Sequence, residues 1–186
     1  MTGSSRIRVR DYEERDWATI CRIHDAARLD ELRDAAIFRP SPAELREEWT
    51  GPREGDLSEG RTLVGPDAFL PLVSTFEAED LFADDVRVAE YDGAVAGFIA
   101  ASDDEITWLY VDPAVWRRGI ARALVTDHLR RGDGRRVELE VLEGNAARGF
   151  YEQLGFVVES TSTGRLAGAE DFWAVGHVMV NSASAS

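Results

Sequence analysis

The sequence predicts one mixed α/β domain, and three observations carry that expectation. Residues 86–111 hold three short apolar-alternating segments separated by turn residues. A glycine-opened amphipathic helix follows the third of them. A further strand, a second helix and two closing strands complete the pattern, which is that of helices packed on a sheet.

Taken in order, IRVR at residues 7–10 alternates as a first strand. Within residues 11–32, Trp17, Ile20, Cys21, His24 and Ala27 recur at helical spacing and predict a helix of about 15 residues. Ser41-Pro42-Ala43-Glu44 joins an N-cap serine, a first-turn proline and a capping glutamate, so a short helix to residue 49 is expected. Residues 50–71 carry Gly51, Gly55, Gly60 and Gly65 with three prolines and read as a long loop. Ser74-Thr75-Phe76-Glu77 repeats the capping signature ahead of a short helix to residue 83.

The hairpin signal is stronger: residues 86–91 and 94–101 flank Asp92-Gly93. Residues 105–111 (EITWLYV) form the third strand after the Asp103-Asp104 turn. Residues 119–131 place Ile120, Leu124, Val125 and Leu129 on one helical side, and Gly132-Asp133-Gly134 ends the helix. Residues 136–142 alternate as a half-buried strand, residues 145–154 are helical up to Gly155, and residues 156–161 and 172–181 close the sheet. Residues 1–180 read as a single domain and residues 181–186 (NSASAS) as a disordered tail.

Composition narrows the function. The 186 residues carry 35 acids against 21 basic residues, a net charge of −14, and every basic residue is arginine. Such a balance opposes nucleic-acid or anionic-membrane binding, which need a positive field. One cysteine excludes an intramolecular disulfide, and three scattered histidines have no metal spacing. No apolar stretch approaches the length of a membrane span or a signal core, so a cytoplasmic location is expected.

The charge is unevenly spread. Residues 113–136 contain seven arginines against Asp127 and Asp133, a net of +5, which leaves −19 for the remainder. This island coincides with a strand running through a short loop into a helix that opens Arg117-Arg118-Gly119-Ile120-Ala121. The first N–H groups of a helix lack intrahelical partners and sit at its positive end, and glycine lets an anion approach them. A phosphate-bearing ligand fits such a seat; a plain strand–helix bend is the alternative reading. The P-loop and dinucleotide-binding patterns are both absent.

Trp116-Arg117-Arg118-Gly119-Ile120-Ala121, after Leu109-Tyr110-Val111-Asp112-Pro113, resembles the coenzyme-binding motif [QR]-x-x-G-x-[GA] of the GNAT superfamily of N-acetyltransferases. It matches at the glycine and the alanine, with Trp116 where Gln or Arg is usual. Downstream, Asn145 to Tyr151-Glu152-Gln153-Leu154-Gly155-Phe156 is similar to the family's N…A…Y-E-x-x-G-F helix, with an Asn-to-Tyr spacing of six where seven is more usual. The resemblance covers about residues 86–158.

That resemblance implies a mostly antiparallel sheet of six to seven strands, splayed between residues 105–111 and 136–142 to form a slot. It implies acetyl-coenzyme A as cofactor, its pyrophosphate on the turn formed by Arg117, Arg118, Gly119, Ile120, Ala121 and Arg122. Its pantetheine arm would run along Leu109, Tyr110 and Val111, with Asn145 as a further contact. An amine then attacks the thioester directly, and a backbone N–H near Val111 stabilises the developing oxyanion. Tyr151 matches the usual general acid; a core tyrosine with a satisfied hydroxyl is its alternative. Glu105, six residues before Val111, resembles the general base of histone-acetylating members. On a regular strand residues 105, 107, 109 and 111 would share a face, although a solvated turn acid also explains Glu105. The acceptor expected is a small amine or peptide, favoured as a cation by the acidic surround. A sensor that binds acyl-coenzyme A without turnover and an enzyme that docks a protein are the other readings, and a homodimer stays open.

Overall fold

A computed structural model describes residues 6–39, 65–77, 80–166 and 169–181. The elements run β1 (Ile7–Asp11), α1 (Trp17–Asp34), β2 (Ile37–Phe38), α2 (Leu72–Thr75), β3 (Asp85–Tyr91), β4 (Ala94–Ala101), β5 (Glu105–Val111), α3 (Ile120–Arg131), β6 (Glu138–Leu142), α4 (Ala147–Glu152), β7 (Phe156–Leu166) and β8 (Ala169–Asn181). They form one mixed α+β sheet with strands β1, β3, β4, β5, β6 and β8 side by side. Every pairing is antiparallel except β5 with β6.

Strand β8 holds the far half together. Along one edge it pairs residues 176–180 with β6 and then Trp173 and Ala174 with β2. Its other edge carries β7 over its whole length.

Both faces of the sheet are covered, which is why β4 reads AVAGFIAA with hardly a polar residue. On one face α3 places Ile120, Leu124 and Val125 in a cluster with Ile99, Ile106, Val111, Leu139, Val141, Tyr151, Phe156 and Met179. On the other, Ile20 and Ile23 of α1 and Leu72 of α2 cluster with Val88, Phe98, Ala100 and Trp108. The end of α1 and β2 meet Phe172 and Ala174 in a third cluster.

Several expectations are corrected. The first helix is longer, 18 residues, because it runs on to Asp34. The helix expected after Ser74 instead begins at Leu72. Its first N–H donates to Asp25 Oδ1 of α1 at 2.8 Å, so a distant side chain caps it in place of Ser74. Strand β2 was not anticipated and brings the count to eight. The strands expected at 156–161 and 172–181 extend into a long hairpin, and Asn181, expected in the tail, ends β8. The helix expected at 41–49 and most of the loop at 50–71 lie outside the described residues.

Candidate active site

Strand β5 ends at Val111, and Asp112 turns the chain by accepting the Ala114 N–H at 3.0 Å. Arg117 (φ +62°) and Gly119 (φ +86°) then reverse it into α3 through left-handed backbone, which glycine adopts freely and arginine does not. Gly119 is the N-cap, and no side chain caps the helix. The opening N–H groups of α3 are therefore left for an external acceptor.

Trp116, the departure from the coenzyme motif, donates its indole N–H to the Val111 carbonyl at 2.7 Å. It ties the loop back onto the end of β5, a positioning role with no signal in the sequence. The arginine island divides by partner. Arg131 pairs with Asp85, Arg135 with Asp103, and Arg136 with Glu138 and Glu159. Arg117, Arg118 and Arg122 are exposed and make no ion pair among the described residues. Arg130, exposed and likewise unpaired among the described residues, lies at the far end of α3, so three of the four unpaired arginines sit at the start of that helix.

Beside it the sheet opens. Strands β5 and β6 pair only at Glu105 with Glu138 and Ile106 with Leu139. Beyond Ile106 the facing edge of β5 bonds no residue of β6, which leaves the slot that the expected splay requires. An irregularity at Thr107 shifts the register from Ala101↔Ile106 to Ala100↔Trp108. Consequently Ile106, Leu109 and Val111 pack toward α3, while Trp108 and Tyr110 pack toward α1. Residues 105, 107, 109 and 111 therefore do not share one face, because the strand is not regular. Glu105, next to Ile106, falls on the α1 side.

Glu105 is exposed at the paired root of the fork, and its N–H donates to Ser102 Oγ at 3.1 Å. Partial burial, then the neighbouring charges of Glu138, Asp84, Asp104 and Glu140, push its carboxyl above the usual range. A raised pKa improves a carboxylate as a proton acceptor.

Tyr151 of α4 is only 7% exposed, with Phe150 and Phe156 against its ring. Burial and the nearby negative charge of Glu31 raise its phenol, so it stays protonated well above neutrality. No described residue hydrogen-bonds its hydroxyl, which departs from a core tyrosine with a satisfied OH.

Glu31 is the residue that sequence reading missed. It lies near the end of α1, half-buried, and its carboxylate collects donors from separate parts of the chain: Arg28 Nη1 at 2.7 Å, Asn145 Nδ2 at 2.9 Å and the Tyr110 hydroxyl at 3.3 Å. Asn145 accepts the Ala147 N–H at 2.8 Å with its other amide atom. Its side chain thus joins the first turn of α4 to α1, by its oxygen and one of its two N–H donors. Gly144 permits that approach, since a Cβ there would lie 2.0 Å from the Asp34 carbonyl oxygen. His24, one helical stripe from Glu31, is buried against Tyr110 and Trp108 with Nδ1 2.9 Å from Asp25, and burial holds its pKa down. Cys21, on the same helix, is pushed up by burial and so is a poor nucleophile.

No helix among the described residues is long and apolar enough to cross a membrane, and no group of His, Cys, Asp and Glu among them is arranged to hold a metal ion.

The geometry has counterparts. Residues 83–158 match the family model described as an acetyltransferase (GNAT) domain. No curated protein sequence matches the chain. Among solved structures it is similar to a GCN5-related N-acetyltransferase from Rhodopseudomonas palustris, with a TM-score of 0.64 and 19% identity over 98% of this chain and 99% of that one. It is similar to yncA, a putative acetyltransferase from Salmonella typhimurium solved with acetyl-CoA, with a TM-score of 0.57 and 22% identity over 98% and 96%. The PaiA N-acetyltransferase from Thermoplasma acidophilum, in complex with coenzyme A, matches with a TM-score of 0.55 and 16% identity over 94% and 98%.

Proposed function

The chain carries a GNAT acetyltransferase domain, and on that premise we propose that it moves an acetyl group from acetyl-coenzyme A to a primary amine within a ternary complex. The observation that supports this reading most is the uncapped start of α3, flanked by Arg117, Arg118 and Arg122, at the end of a strand whose edge is open. A pyrophosphate needs those orphan N–H groups and unspent guanidinium charges. A pantetheine amide chain needs an unpaired strand edge, and Leu109, Tyr110 and Val111 offer one.

Bound there, acetyl-coenzyme A supplies a thioester carbonyl for the amine to attack and a thiolate to depart. The remaining work falls to this chain's residues. The turn from Arg117 through Gly119 to Arg122 binds phosphate by backbone N–H and charge. Trp116 fixes that turn to the end of β5. Tyr151 holds a proton at its hydroxyl for the departing sulfur, and its buried ring fixes where that proton is offered. Glu105 is the candidate to receive the amine's proton from the α1 side of the fork. Asn145 orients α4, and so Tyr151, rather than binding the coenzyme with its side chain.

Two measurements test the reading: calorimetric titration with coenzyme A, and thiol release from acetyl-coenzyme A in the presence of primary amines. Binding together with amine-dependent thiol release is expected. Failure to bind coenzyme A at millimolar concentration overturns the proposal. Binding without release for any small amine or peptide would make the chain a coenzyme sensor.

A further inference from the structure

We propose that Glu31 is a specificity-determining residue, seating the positive charge of the acceptor amine beside the fork in the place now taken by the Arg28 guanidinium. The inference rests on the acetyl-transfer reading and adds to it the recognition of a cation at a defined carboxylate.

The case begins with position. Glu31 stands on α1 but reaches Tyr110 of β5 and Asn145 of the turn before α4. These elements border the opening between β5 and β6, so the carboxylate lies beside that opening. Its charge is also felt at the Tyr151 hydroxyl and at the His24 ring. Among the described residues, the groups that face it are Arg28 and His24 from α1, Tyr110 from β5, and Asn145 and Tyr151 from around α4. His24 is held neutral by burial, Tyr110 and Asn145 are neutral donors, and Tyr151 is kept protonated. Arg28 is the one cation among them.

The second element is occupancy. The Arg28–Glu31 pair joins side chains that are 20% and 18% exposed, with a donor–acceptor distance of 2.7 Å. A carboxylate with two oxygens oriented by neutral donors, and a cation resting on it at the edge of a reaction cleft, is a seat for an ammonium group. An incoming ammonium replaces one cation with another, so net charge burial changes little. Glu105 does not offer this: it sits exposed among like charges at the closed end of the fork.

The test is steady-state kinetics with benzylamine, 1,5-diaminopentane and a lysine-bearing peptide, for the wild type, Glu31→Gln and Arg28→Gln. Each is run near neutral pH and again near the amine's own pKa, with coenzyme A affinity measured in parallel. Glu31→Gln is expected to raise the acceptor KM about tenfold or more near neutral pH, with kcat less affected. The deficit should narrow at the higher pH, where the neutral amine no longer needs a counter-charge. Arg28→Gln should lower the acceptor KM by vacating the seat. Coenzyme affinity should stay within about twofold in both variants. A Glu31→Gln loss that does not vary with pH, a rise in KM in both variants, or a parallel fall in coenzyme affinity would show that Glu31 only holds the fold together. An active wild type with an unaltered Glu31→Gln overturns this inference alone. A wild type that binds coenzyme A yet acetylates no amine overturns the acetyl-transfer reading and this inference with it.

Discussion

At the scale of single residues, chemistry depends on where a proton is kept. Tyr151 has a raised phenol and a hydroxyl with no hydrogen-bond partner among the described residues, the two properties of a group that donates once and must be ready beforehand. Tyr151→Phe is expected to lower turnover about 10²-fold while leaving coenzyme affinity unchanged. Glu105→Gln should lower kcat/KM most below the amine's pKa and, by removing one of several crowded acids, raise the melting temperature. A faster or unchanged turnover in either variant takes that residue out of the reaction. Tyr151 was legible in the sequence because it stands in a recognisable helix. Glu31 was not, since an acid on an amphipathic helix looks solvated until the partners on β5 and before α4 are known. Asn145 was legible as a candidate, and its amide meets Ala147 and Glu31.

At the scale of elements, the proposed anion seat belongs to α3 as a whole and is shared between backbone and side chains. The double variant Arg117→Ala/Arg118→Ala should weaken coenzyme A binding by about tenfold at low salt. The difference should shrink as salt screens the remaining attraction. An equal loss at all salt concentrations would point to a disturbed turn instead. Strands β4 and β5 and helix α3 could be read from periodicity and punctuation alone, because their signals are local. Strand β2 could not: two residues have no period, and Ile37 and Phe38 become a strand only through Ala174 and Trp173. Nor could the start of α2, which Asp25 sets from 47 positions away. Likewise residues 162–166 of β7 lie beyond the expected strand and are extended because β8 runs beside them. The irregularity at Thr107, which decides the side on which Glu105 lies, left no trace in the strand's composition.

At the scale of the whole molecule, the two ends of the sheet are secured differently. The β1 side rests on Arg10, which bonds both oxygens of Asp16 at 2.7 and 2.9 Å and Glu90 at 2.7 Å, with Asp16 only 4% exposed. Hydrogen bonds from Arg10 hold the Asp16 carboxyl below its ordinary range. Its stabilisation is therefore complete above the unfolded carboxylate's pKa and is lost as pH falls through the folded value. Asp16→Asn should cost about 3 kcal/mol in denaturant unfolding at neutral pH, and the gap to wild type should close in acid. A constant gap across that range would mean that the bridge contributes by shape and not by charge. The far side rests on β8, and this has a consequence for how the molecule comes into being. The wall that carries Glu31 is anchored through β2 to residues 173 and 174, while the residues of the proposed seat at α3 have all been made by residue 131. During synthesis from the N-terminus, the residues of the proposed anion seat leave the ribosome well before the acceptor wall has anything to lean on. Coenzyme capture should therefore precede acceptor recognition in the life of each nascent chain, and a truncation that removes β8 should abolish acetyl transfer more completely than coenzyme binding.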